Sequence, residues 1–191
     1  MTDLNITEQA IHRNIITEPP NRQIELFPLP VDESVLQKLL IQLFEQHWQQ
    51  IRFGVMIPGA VYEIKAPNKP ERINHRHGYL TIDFGSWHFH LCIGDYRDSH
   101  EDAQVRKTAR AEFYRMLNSD AQPTSWGFRM FNGADQQQLV VFMPNPLLTS
   151  DDKIAKKPDW SRLALWEQLL DEFLDLQPDS IDRTALGFIH G

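Results

Sequence analysis

The stretch HRHGYLTIDFGSWHFHLCIG, residues 75–94, decides how this chain is read. At its centre Gly85-Ser86 separates YLTIDF from WHFHLCI, and a two-residue loop that begins with glycine is the mark of a type II′ hairpin. That turn fixes a register in which Phe84 faces Trp87, Asp83 faces His88, Ile82 faces Phe89, Thr81 faces His90, Leu80 faces Leu91 and Tyr79 faces Cys92. Side chains alternate along a strand, so Leu80, Ile82, Phe84, Trp87, Phe89, Leu91 and Ile93 share the face expected to enter the core. The opposite face collects Tyr79, Thr81, Asp83, His88, His90 and Cys92. His77 and His75 join it if the first strand continues backwards without a bulge. Four of the eight histidines and the only cysteine thereby point one way.

Upstream, VDESVLQKLLIQLFEQHWQQIRFG (31–54) repeats apolar residues at spacings of three and four, which predicts an amphipathic helix capped by Asp32 or Ser34 and stopped by Gly54. Residues 1–30 mix polar side chains with four prolines near their end and read as an extended N-terminal arm, with IELF able to add an edge strand. GAVYEIKA (59–66) reads as a strand. Downstream, DSHEDAQVRKTARAEFYRML (98–117) reads as a second helix capped by Ser99, with Arg106, Lys107, Arg110 and Arg115 on a solvated face. SWGFRMFNGADQQQLVVFMPNP (125–146) reads as two strands joined at Asn132-Gly133, and WSRLALWEQLLDEFLDL (160–176) as a third amphipathic helix. The expected fold is α+β: an antiparallel sheet of about five strands with three helices packed mainly on one face, forming a single domain over 31–191.

The totals bound the function. At 191 residues with 41% hydrophobic side chains, five Trp and eleven Phe, the chain has material for one substantial core. The formal charge of −7 works against a broad phosphate-binding surface, so nucleic acid is not expected as a partner. One cysteine forms no internal disulfide and no apolar run is long enough to span a bilayer, so a cytoplasmic protein without a membrane partner is expected.

His88 and His90 are spaced to chelate one ion from one strand, and His90, Cys92 and His77 form a second candidate set. His88 and Cys92 stand roughly 13 Å apart along a straight strand, too far to share an ion. Asp83, opposite His88, is placed to hold an imidazole tautomer. His88-Phe89-His90 resembles the zinc-binding strand of the α-type carbonic anhydrases, and the same HxH pair resembles the first cupin motif. The resemblance is confined to this strand and implies an imidazole-bound metal. The expectation is therefore a metal-binding protein, zinc first, with His88, His90, His77, His75 and Cys92 as ligands. In a metal-dependent hydrolase or lyase, Asp83 would orient a ligand and Arg129, on WGFRMF, would hold an anionic small-molecule substrate. The alternative is a non-catalytic module that carries haem or another iron cofactor, or meets a partner protein; a homodimer through the open sheet face is a third reading.

Overall fold

A computed structural model describes residues 14–96 and 103–188. Alternation on both sides of Gly85-Ser86 produces the expected pairing, residue for residue, from Tyr79↔Cys92 to Asp83↔His88, and the Phe84 N–H donates to the Trp87 carbonyl at 2.9 Å. Around this hairpin the elements follow in the order β1 (Ile15–Glu18), β2 (Arg22–Leu29), α1 (Glu33–Ile41) running into a π-helical turn (Gln42–Gln46), β3 (Arg52–Gly54), β4 (Met56–Ile57), β5 (Ala60–Val61), β6 (Arg72–Arg76), β7 (Tyr79–Asp83) and β8 (His88–Cys92). Then come α2 (Ala103–Arg106), β9 (Thr108–Leu117), β10 (Pro123–Asn132), β11 (Gln137–Phe142) and α3 (Ala164–Leu174), with short 3-10 turns at Trp160–Leu163 and Ser180–Arg183.

The fold is α+β and every strand pairing is antiparallel. The strands divide among a six-stranded sheet in the order β1-β2-β9-β10-β11-β3, a three-stranded sheet β6-β7-β8 and the small hairpin β4-β5. One core lies between the two larger sheets. The inner face of the six-stranded sheet supplies Phe113, Trp126, Phe128, Met130 and Val141; the three-stranded sheet supplies Leu80, Ile82, Phe84 and Leu91; Leu36, Leu39 and Leu40 of α1 and Trp166 and Leu169 of α3 fill the rest. Each fully buried leucine contributes about 1.5–3 kcal/mol relative to an exposed one. Phe53 of β3 joins the two sheets, its ring 5.0 Å from Phe44, 6.1 Å from Phe84 and 5.6 Å from Phe89.

Three segments depart from the sequence reading. The helix expected to run to Gly54 ends in the π-helical turn at Gln46, and Arg52–Gly54 form the edge strand β3 instead. Residues 22–29, read as part of a draped arm, form a strand inside the six-stranded sheet, between β1 and β9. Residues 108–117, read as a helix, form the ten-residue strand β9, buried on both faces; Ser99 and His100 lie outside the described residues. Arg115, expected on a solvated face, is 2% exposed. It donates to Glu25 at 2.6 Å, to Asp179 at 2.7 Å and to Asp182 at 2.9 Å, while the Trp126 and Trp166 indoles donate to the same Asp182 at 2.6 and 3.2 Å. Burial on its own lowers the Arg115 pKa. The hydrogen bonds to Glu25 and Asp179 and the charge of Asp182 outweigh it, so the guanidinium stays charged.

Asp182→Ala strips one buried cation of a counter-charge and two indoles of their acceptor. We expect it to lose about 3–5 kcal/mol in equilibrium urea unfolding, the cost of breaking a buried ion pair from one side. A loss under about 1 kcal/mol would show that the cluster is not needed for the fold.

Candidate functional site

The histidine face assembles only in part. His88 and His90 do share the outer face of β8, exposed, with ring centroids 4.9 Å apart, and His90 Nδ1 lies 2.7 Å from the Thr81 hydroxyl. His75 and His77 do not join them. A second two-residue turn, His77-Gly78, closes the β6-β7 hairpin with Arg76 opposite Tyr79 and both turn residues at positive φ (53° and 77°), the requirement of a type I′ turn. The chain reverses there instead of continuing backwards. His75 consequently pairs with Leu80 and lies on the inner side, its Nε2 3.4 Å from a Glu33 carboxylate oxygen, and His77 sits at the turn tip where it accepts from Arg76 Nε at 3.1 Å.

Cys92 is buried, with its thiol 3.7 Å from the Gly94 carbonyl. Burial pushes that thiol above its ordinary range, against the opposing hydrogen bond with Tyr79 and the Lys107 charge, so it is protonated at neutral pH. Asp83 is engaged elsewhere: its carboxylate accepts from the Gly85 N–H at 2.9 Å and from Arg72 at 3.0 Å, which together hold its pKa below the usual carboxylate range. Arg129 belongs to the other large sheet, where it pairs with Glu18 at 2.8 Å and Glu112 at 2.8 Å. Among the described residues no group of three or more His, Cys, Asp or Glu is placed to hold a metal ion. The zinc-site reading of the hairpin is thereby overturned.

A broad concave surface lies on the outer face of the six-stranded sheet. Alternation that sends Phe113, Trp126, Phe128 and Val141 inward sends Tyr114, Met116, Gly127, Arg129, Val140 and Phe142 outward, where Ile24, Tyr114 and Val140 form a second, smaller apolar cluster. The β4-β5 hairpin packs Met56 onto this cluster and leaves an open groove of about 1070 Å³ beside it. Met56, Val61, Met116 and Phe142 give the groove apolar wall, and Arg22, Arg52, Lys65 and Arg162 bring positive charge. Arg52 is held by Asp152 at 2.7 Å and Arg162 by the Asn145 carbonyl at 2.9 Å. Arg22 and Lys65 have no carboxylate partner among the described residues; Arg22 reaches only the Met56 sulfur, at 3.8 Å.

Beneath the groove is a recess of about 20 Å³ whose lining includes Arg22, Met56, Tyr114, Met116, Arg129 and Gln137. Tyr114 lies across Gly127, where a Cβ atom would fall 2.6 Å from the phenol ring carbon and oxygen. Its hydroxyl is buried and makes no hydrogen bond. Such an orphan costs about 1–3 kcal/mol. Burial also drives the phenol pKa far up, so the group keeps its proton and remains a donor.

Residues 13–175 match the model of a family of unknown function, DUF7676. The chain belongs to that family. No curated protein matches it. Among solved structures it is similar to one titled the crystal structure of ChuX, with a TM-score of 0.50 and 11% identity over 80% of this chain and 78% of that one. At this identity the likeness establishes the fold. No helix among the described residues is long and apolar enough to cross a membrane.

Sequence reasoning passed over the groove, but one signal for it stood in the chain. A glycine inside a strand, as in SWGFRMF, marks a place where something approaches the backbone closely, and at Gly127 that is the Tyr114 ring.

The placement of His88 and His90 has a direct consequence. We expect protein purified without an affinity tag to carry no stoichiometric zinc by elemental analysis, and His88→Ala/His90→Ala to unfold within about 0.5 kcal/mol of the parent, as substitutions at solvated positions do. One zinc per chain, lost in the double variant, would restore the metal site.

Proposed function

We propose that this chain is a non-catalytic carrier of a large, flat, apolar ligand bearing carboxylates, of the haem class, held in the groove on the outer face of the six-stranded sheet. The observation that carries the reading is the pairing of apolar wall (Met56, Val61, Met116, Phe142) with two cations, Arg22 and Lys65, that lack a carboxylate partner among the described residues of a chain whose net charge is −7. In an acidic protein, cations without a carboxylate beside an apolar trough suit a ligand that brings its own negative charge. The ChuX likeness also suggests haem, which favours this reading over the zinc one.

The donor set tests the fit. The His88/His90 face has imidazoles, but its neighbours are the polar side chains of Thr81, Asp83 and Arg72, where a macrocycle needs apolar ones. The groove has the apolar wall and the cations. Its described lining contains no imidazole, so the soft donors available to iron are the thioethers of Met56 and Met116. Bound haem would supply the iron; the chain's part is to shield the ring with Met116 and Phe142 and to meet the carboxylates with Arg22 and Lys65.

Titration of ferric haem into the protein, followed by the Soret band, tests the proposal. One haem should bind per chain, with Arg22→Gln/Lys65→Gln weakening binding on the order of tenfold, as expected for two partly solvated charge contacts. A Soret band that matches free haem throughout the titration would sink the proposal.

A further inference from the structure

We infer that Tyr114 and Arg22 form an anchor for one carboxylate of the groove's ligand, in the recess beneath the groove floor. The inference rests on the carrier reading above and adds to it the place where the ligand's charged arm is recognised.

Three observations carry it. The Tyr114 hydroxyl is fully buried and has no partner, although buried hydroxyls ordinarily find one. It borders a recess that shares Arg22, Met56 and Met116 with the groove, so two unbranched thioether side chains stand at the junction of the two spaces. The donors around the recess outnumber the acceptors that use them. Arg129 is matched by Glu18 and Glu112, and the Gln137 carbonyl accepts from the Met56 N–H, which leaves the Gln137 amide nitrogen, the Tyr114 hydroxyl and the Arg22 guanidinium as donors without a carboxylate. Glu18, the one acid lining the recess, makes both of its contacts with Arg129, while Glu63 on the adjoining groove wall is near enough for its charge to act on Tyr114.

Size adds a condition. About 20 Å³ of free volume admits a single water and falls short of a carboxylate. Methionine, unbranched and with several rotatable bonds, yields its place readily. Displacing the Met56 side chain merges the recess with the groove and frees Arg22 from its only described contact, the Met56 sulfur. The ring of a bound ligand would then remain in the groove while one carboxylate accepts from the Tyr114 hydroxyl and from Arg22. The phenol donates and keeps its proton, so no proton is exchanged on binding.

The test compares ferric haem with its dimethyl ester, which has the same macrocycle and no carboxylate charge, on the full chain and on Tyr114→Phe. The parent should bind the diacid at least about tenfold more tightly than the ester, and Tyr114→Phe should lose most of that preference by weakening the diacid alone. The melting temperature of Tyr114→Phe should hold or rise, because the change removes a buried hydroxyl that has no partner. Retention of the full preference in Tyr114→Phe overturns the anchor, as does an equal loss for both ligands, which would reflect altered packing. Equal binding of diacid and ester by the parent overturns it too, together with the pairing of Arg22 and Lys65 with the carboxylates, and leaves only the apolar wall of the groove as the ligand's seat. Failure of the parent to bind either one removes both.

Discussion

The buried ion cluster of Arg115 is the constraint on which the rest of the architecture depends. A guanidinium taken out of water on the inner face of β9 is tolerated only if carboxylates come to it, and they come from two distant parts of the chain: Glu25 on β2, and Asp179 and Asp182 near the C-terminal 3-10 turn. The pairing of β2 with β9 and the return of the C-terminal segment over α3 are thus tied to one side chain. Asp182 extends the tie, since its two oxygens also take the indole N–H groups of Trp126 and Trp166 and so join β10 to α3. Buried ionic groups of this kind add little net stability over an apolar replacement. Their contribution is to penalise every arrangement that leaves the cation alone.

The same chemistry explains which parts of the fold were legible. The β7-β8 hairpin was readable because its inner face is apolar, its outer face polar, and its turn carries a glycine that tolerates the φ of +87° found at Gly85. β9 was not readable. A strand buried on both faces gives up the apolar and polar alternation that reveals strands, and this one carries Glu112 and Arg115 in positions that solvent does not reach. Its residues, rich in Ala, Arg, Glu, Met and Leu, favour helix by intrinsic propensity, and the ion pairs on either side override that preference. The histidine cluster failed for a smaller reason. His77-Gly78 is itself a turn signal, and counting it as strand carried His75 to the wrong face.

Charge is distributed with the same logic on the outer face. Arg129 is closed off between Glu18 and Glu112, and Arg110 reaches both Glu112 and Asp135, so these residues build a ladder that stiffens the far end of β9 and β10. Toward the other end of those strands the pattern changes. Arg22 and Lys65 make no ion pair among the described residues and line a concave surface with methionine and phenylalanine side chains, where Glu63 and Asp152 are the acids. No sequence window contained this contrast, because its members come from β2, the strands around the small hairpin, and β9 to β11. They become neighbours only when the six strands are in register.

The two faces that draw attention in this protein therefore point in opposite directions for a structural reason. The three-stranded sheet turns Leu80, Ile82 and Phe84 toward the core and so must send Thr81, Asp83, His88 and His90 to its outer face; the six-stranded sheet turns Trp126 and Phe128 toward the same core and so must direct Gly127 and Arg129 to its far side, where Tyr114, Glu18 and Glu112 cover them. A face made of solvated imidazoles already has water as its hydrogen-bond partner and needs nothing more. The far side is different, because the β4-β5 hairpin buries Tyr114 without giving its hydroxyl a partner among the described residues, and two cations of the groove beside it, Arg22 and Lys65, make no ion pair there although Glu63 and Asp152 also line it. A buried donor without a protein partner is a cost that a ligand can remove, whereas an exposed histidine offers a ligand no such gain. On that argument the groove is where binding free energy is available.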